Sequence, residues 1–122
     1  MSNINERVAG YIAAWNEQDP KRRRELVAKT WADAGSYVDA HRNAEGHAAI
    51  DAMIGAAQRQ FPGYRLRLIS GIESHNNRVR FSWAAGGTDT APLYLGGTDF
   101  AEAAEDGRFQ SVVGFVDATP AT

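Results

Sequence analysis

The chain has 122 residues, no cysteine, and a net charge of -2 with a pI near 5.9. Its length predicts a single domain over residues 1–122, able to bury a core without covalent staples. The missing cysteines exclude disulfides, thiolate zinc sites and thiol catalysis, and suit a reducing, cytoplasmic location. The charge balance offers no basic field for nucleic acid.

The opening stretch MSNINERVAGYIAAWNEQD carries charges every few residues and no continuous apolar run. Neither a signal peptide nor a membrane span is expected there. Val8, Tyr11, Ile12 and Trp15 recur at helical spacing, which predicts a first helix from about Asn5 to Glu17 with one apolar face. Asp19-Pro20 restarts a helix, the aspartate as cap and the proline in a first turn that needs no N–H from it. That second helix runs to about Trp31 with Leu26, Val27 and Thr30 inward, and its KRRR run, Lys21 to Arg24, reads as a solvated face.

Gly35 then admits a strand through SYVDAH, followed by a loop at Asn43 to Gly46. HAAIDAMIGAAQRQF is a third amphipathic helix, with Ile50, Met53, Ile54 and Ala57 inward, and Pro62-Gly63 ends it. From Tyr64 onward the period changes to two. YRLRLISGIESH and RVRFSW alternate around a tight turn at Asn76-Asn77, and APLYLGGTDFAEAA and RFQSVVGFV follow around Glu105 to Gly107. The glycine pairs Gly86-Gly87 and Gly96-Gly97 fit bends in long strands. Helices first and a strand meander second predict an α+β fold: three N-terminal helices on the concave face of a curved, cone-shaped sheet. The interior of such a cone suits a small molecule.

Several residues could serve chemistry there. Tyr37, Asp39 and His41 stand two apart in a predicted strand and so share one face. That face is either a wet strand end or a pocket wall. Asp39 and His41 offer two metal ligands where a catalytic site wants three, so neither metal nor cofactor is expected. Phe81 and Trp83 share a strand face and read as a pocket wall, with Trp15 nearby on the first helix. Phe109, Ser111, Val113 and Phe115 form a last-strand face too apolar to remain wet.

YIAAWNEQD in the first helix, YVDAH in the first strand, EGHAAI opening the third helix and GGTDFAEAAEDGRFQSVVGF at the end carry a resemblance. In order and spacing the chain resembles the nuclear-transport-factor-2-like superfamily, in its SnoaL-like and ketosteroid-isomerase-like branch. The resemblance implies an aspartate base at Asp39, with Tyr11 and a neutral Asp99 as donors to a developing oxyanion. It departs where Ala40 replaces the proline that often follows the base, and where Ile54 stands in place of a supporting tyrosine.

Tyr11 would otherwise be core filling, and Asp99 a turn aspartate bonding backbone amides. Those two alternatives for Asp99 differ in sign: burial beside Asp39 raises its pKa, and backbone amides lower it. The function implied is proton transfer on a small apolar or aromatic carbonyl compound, by an isomerase or a polyketide-cyclase-like enzyme. The competing function is a non-catalytic binding or dimerising module on the same cone. The resemblance also implies a homodimer through the outer sheet face.

Overall fold

The structure is a computed structural model that describes residues 3–117. Three helices come first: α1 (Ile4–Asn16), α2 (Pro20–Thr30) and, after two strands, α3 (His47–Gln60). The strands are β1 (Trp31–Val38), β2 (Asn43–Glu45), β3 (Leu66–Leu68), β4 (Glu73–His75), β5 (Arg78–Ala85), β6 (Leu95–Ala103) and β7 (Phe109–Val116). They form one curved, mixed, open sheet in the order β2-β1-β7-β6-β5-β3, with β4 also on β5. Among the described residues, only the β1–β7 pair is parallel. The α+β architecture expected from the helix-then-strand order is the one found.

Local chemistry explains the helix starts. Asn3 Oδ1 accepts from the Glu6 amide at 2.8 Å, and Asp19 Oδ2 accepts from the Arg22 amide at 2.9 Å just before Pro20. Each side chain satisfies a donor that the first turn would leave unpaired. Val8, Tyr11 and Ala14 of α1, Val27 of α2 and Ile50 and Ile54 of α3 are buried in one cluster with Trp31, Phe81, Phe109 and Val112 of the sheet. Asn16, the last residue of α1, grips β3 with both ends of its amide: Nδ2 donates to Leu66 O at 2.9 Å, and Oδ1 accepts from Leu66 N at 2.7 Å. That clamp holds the end of α1 over the wide end of the sheet.

Six details differ from the sequence expectations. Asn43 to Glu45, expected as loop, is β2, paired antiparallel with Ser36 to Val38. The first strand ends at Val38, so His41 lies in the turn that follows and the alternation argument does not reach it. YRLRLISGIESH splits into β3 and β4, and Ala91 to Tyr94 precede β6 instead of joining it. Gly86 and Gly87, at φ 77° and 74°, lie just past β5 and end it, while Gly96 and Gly97 sit within β6.

The fifth concerns the last strand. Phe109 is fully buried although Val113 and Phe115 are exposed, because the β6–β7 register shifts between Glu102–Ser111 and Ala103–Phe109. The bulge at Gln110 turns Phe109 inward, where strict alternation had placed it with the outer face. The basic run also needs amending: Arg23 is buried and pairs with Asp51 at 2.7 Å, while Arg22 and Arg24 stay exposed. Asn76 and Asn77, both at positive φ, make the tight turn into β5 as expected.

Candidate functional site

A cavity of about 770 Å³ opens between α1, α3 and the sheet. Its floor is built by Tyr11 and Trp15 of α1, Trp83 of β5 and Asp99 of β6; Tyr37 of β1 continues that floor past the Asp39 side chain, itself 2% exposed, to Arg42 at the rim. The helical spacing of Tyr11 and Trp15 turns both side chains toward the sheet. On the sheet, Trp83 pairs with Gly97, two residues along the ladder from the Phe81–Asp99 pair, so its indole reaches over that glycine to the Asp99 carboxylate.

Asp99 is almost completely buried, with 2% of its surface exposed. Tyr11 Oη donates to Asp99 Oδ2 at 2.6 Å, and Trp83 Nε1 donates to Oδ1 at 3.2 Å. Its own strand amides are committed to the β ladder, so side chains alone serve the carboxylate. Burial dominates and raises its pKa to about 6; the Tyr11 and Trp83 hydrogen bonds pull downward, and the charge of Asp39 pushes up. The Tyr11 phenol is held well above its usual pKa by burial first and then by the negative charge of Asp99. Trp15 Nε1, close to the Tyr11 oxygen, draws the phenol down in smaller measure, yet it is buried without an acceptor in bonding geometry.

Asp39 stands just past β1, in a different setting. Its Oδ1 accepts from the amides of His41 at 2.7 Å and Arg42 at 2.9 Å, and its Oδ2 accepts from Tyr37 Oη at 2.6 Å. The Asp39 amide in turn bonds Arg42 O at 2.9 Å, so the carboxylate closes a tight turn over residues 39–42. Arg42 Nη1 lies 3.7 Å from Oδ2. Tyr37 is buried and its phenol is pushed far up, first by burial, then by the charge of Asp99 and the bond to Asp39.

The two aspartates meet at Gly114 of β7. A Cβ there would lie 2.8 Å from Asp99 Oδ1, 2.9 Å from Tyr37 Oη and 3.5 Å from Asp39 Cβ. Only a residue without a side chain lets these groups approach one another across the floor.

Tyr11, Asp39 and Asp99 therefore line one cavity, with Trp15, Tyr37, His41 and Trp83. His41 reaches it from the exposed turn, not from the strand. Phe81 is the exception. It is 1% exposed and packs edge-on against the Tyr11 ring at 5.3 Å, so it supports the floor from within the core and does not line the cavity. Asp39, expected as the proton acceptor, is the more heavily engaged of the two carboxylates: three donors, two of them turn amides, hold it, against two side-chain donors on Asp99. Sequence reasoning missed Arg42, Gln60 and Gly114. Arg42 directly follows the YVDAH stretch and was within sight; nothing in the sequence marks Gly114. Among the described residues, no three His, Asp or Glu side chains gather closely enough to hold a metal ion. No described helix is long and apolar enough to cross a membrane.

A family model described as the SnoaL-like domain matches residues 8–112. Among solved structures, the chain is similar to a proposed isomerase of the SnoaL-like family from Agrobacterium tumefaciens. That likeness has 42% identity, covers 93% of this chain and 96% of the other, and gives a TM-score of 0.86. It shares the fold of a proposed SnoaL-like polyketide cyclase from Jannaschia at 14% identity, covering 96% of this chain and 90% of the other, with a TM-score of 0.71. An NTF2-like protein of unknown function from Exiguobacterium has the same fold at 17% identity, with 93% and 99% of the two chains covered and a TM-score of 0.74. No curated protein matches the sequence.

Proposed function

The chain belongs to the SnoaL-like family, and from that premise we propose that it binds a small, largely apolar carbonyl compound and moves a proton next to the carbonyl. The observation that carries this is Asp99: a buried carboxyl on the cavity floor, poised at about 6, with one donor on each oxygen. A proton carrier works best when its pKa lies near the working pH, and burial has brought Asp99 there.

The assignment of roles follows from which groups have lone pairs or protons to spare. At neutral pH Asp99 is mostly ionised and takes the proton from the carbon beside the carbonyl. Tyr11 steadies that carboxylate and keeps its pKa from rising further. The enolate oxygen needs a donor, and the Trp15 N–H, which lies beside the Tyr11 oxygen without a bond of good geometry, supplies it once its indole tilts toward the cavity. Returning the proton to another carbon gives isomerisation; attack of the enolate carbon on a second carbonyl gives aldol closure. Asp39 acts as a positioning residue, holding the Tyr37 hydroxyl and the residue 39–42 turn. Apolar walls, including Leu66, Leu95 and Val116, suit a hydrocarbon or aromatic body.

The three donors that hold Asp39 in its turn favour a second reading, in which the same cavity binds such a compound without turning it over. Deuterium exchange separates the two. A panel of small apolar ketones and keto acids in D₂O, followed by NMR, is expected to exchange at the carbon beside the carbonyl, with a rate that rises through pH 6 and is lost in Asp99→Asn. Binding without exchange at any pH would leave the module reading.

A homodimer through the outer sheet face belongs to the same proposal. Val38, Phe100, Val113 and Phe115 lie there between 37% and 61% exposed, and Phe100 and Phe115 pack edge-on at 5.9 Å. Val38 and Phe100 flank Val113 in register, so the patch is continuous across three strands. Light scattering is expected to give twice the chain mass at micromolar concentration, and the monomer mass for Phe115→Lys; a monomer mass for the unaltered chain would rule the dimer out.

A further inference from the structure

The rim of the cavity is chemically unlike its floor. Arg42 lines it from the residue 39–42 turn, with its side chain 22% exposed. A guanidinium carries five N–H donors. Among the described residues, Nη2 donates to Gln60 Oε1 at 3.2 Å, and the nearest anion is Asp39 Oδ2 at 3.7 Å from Nη1. That separation is beyond hydrogen-bond length, and the Oδ2 atom already takes the Tyr37 hydroxyl. Arg42 is thus held in place by α3 and by its own turn, while most of its donors are unspent.

Half-burial of a cation with its donors open is costly unless an anion meets it. Asp39 offsets part of the charge as an ion pair at 3.7 Å but takes no hydrogen bond from the guanidinium, because its oxygens serve the turn amides and Tyr37. Asp117, another carboxylate lining the cavity, makes no ion pair with Arg42 within 4 Å. The His41 ring lines the same rim and adds a second nitrogen-bearing group beside Arg42.

We propose that the ligand is an apolar carboxylic acid, its hydrocarbon body on the Trp15–Trp83 floor and its carboxylate on the Arg42 guanidinium at the rim. The inference rests on the cavity being a ligand site, and it adds the charge and polarity of the ligand to the function proposed above. Planar carboxylate and planar guanidinium match as a two-bond pair, which fixes orientation as well as affinity. With the carboxylate anchored at the rim, the reacting carbon and carbonyl of a keto acid point down toward Asp99 and Trp15. A neutral ketone of the same shape loses that anchor and its register in the cavity.

Calorimetric titration with 2-naphthoate and with methyl 2-naphthoate tests the proposal, because the two share a body and differ in charge. The acid is expected to bind at least about tenfold more tightly than the ester, the size of a charge-assisted hydrogen bond in a half-buried site. Arg42→Gln should bring the two within about twofold by weakening the acid alone, and Arg42→Lys should restore part of the difference. An acid that binds no better than its ester to the unaltered protein overturns the proposal, and this comparison needs no variant to fold. Retention of the full preference in Arg42→Gln overturns it as well. Failure of proton transfer reads out separately: acid preference that depends on Arg42, without deuterium exchange, would leave this inference standing and remove the catalytic one.

Discussion

Asp99 and Asp39 flank one glycine and line one cavity, yet the chain treats the two carboxylates in opposite ways. Asp99 comes from the interior of β6, where every nearby amide is already spent on a neighbouring strand. Its partners are two side chains, Tyr11 and Trp83, and burial outweighs them. Asp39 comes one residue past the end of β1, where the chain turns and the amides of His41 and Arg42 have no ladder to join. They bond the carboxylate instead. The difference teaches how backbone position selects a role: a strand interior leaves a carboxyl under-served and titratable, and a turn consumes it.

The largest test of that contrast is a pair of conservative substitutions. Asp99→Asn removes the proposed proton carrier and is expected to lower deuterium exchange by at least about 100-fold, the usual scale for a general acid or base. Asp39→Asn keeps an oxygen for the two amides and is expected to cost less than about tenfold. Equal losses in the two variants, or the larger loss in Asp39→Asn, would reverse the assignment and make Asp39 the base. Circular dichroism on both variants guards against a folding defect in either.

Stability against pH sharpens the same comparison. The folded-state pKa of Asp99 is raised from 3.8 to about 6, so between those values the native chain holds a proton that the unfolded chain releases. The contribution of this group to stability is therefore fully present below pH 3.8 and is lost as pH rises to about 6. At 1.36 kcal/mol per unit, the loss is about 3 kcal/mol. Urea midpoints from pH 3.5 to 7 should show Asp99→Asn gaining on the unaltered protein by roughly that amount as pH rises. A difference that is flat with pH would mean that Asp99 is not raised.

How much of this was legible beforehand differs between floor and rim. Tyr11 and Trp15 lie on a helix whose period is plain, and Trp83 on a strand whose alternation is plain, so the sequence pattern already turns them inward. Asp99 is set among glycines and apolar residues, which is where burial of a carboxyl raises its pKa. The rim was less legible because it depends on where β1 stops. Nothing local distinguishes SYV, which pairs with β2 and β7, from DAH, which turns away. Strict alternation therefore gives His41 the Tyr37 face of a strand it has already left, and it gives Arg42 no place in the cavity. Phe109 and Phe81 failed for tertiary reasons. A bulge changed the facing of one, and the bulk of the Tyr11 ring kept the other beneath the cavity floor.

Gly114 joins the two regions and offers a way to push them apart. An alanine methyl there would meet Asp99 Oδ1 at 2.8 Å and Tyr37 Oη at 2.9 Å, both closer than carbon normally approaches oxygen. Neither neighbour can yield freely, since Tyr11 and Trp83 hold the first and Asp39 the second. Gly114→Ala is expected to cost about 1–3 kcal/mol, as overpacking of a close-fitted interior does. Urea unfolding measures it; a change below about 0.5 kcal/mol would show that the floor accommodates a methyl and is looser than described.

The smallest effect separates the two donors on Asp99. Both hydrogen bonds favour the carboxylate over the acid, so removing either should raise the Asp99 pKa above about 6. Tyr11 is the nearer, at 2.6 Å against 3.2 Å for Trp83, and exerts the larger pull. Tyr11→Phe keeps the ring that packs on Trp31, Phe81 and Phe109 and deletes only the hydroxyl. Its exchange rate should therefore rise along a limb moved to higher pH, with a smaller displacement in the same direction for Trp83→Phe. Carbon-13 titration of the aspartate side chains, assigned with Asp99→Asn, reads the pKa without any substrate. A downward move in Tyr11→Phe would mean that the hydroxyl favours the protonated acid, which makes Asp99 a hydrogen-bond donor to Tyr11 and an oxyanion stabiliser in place of a base.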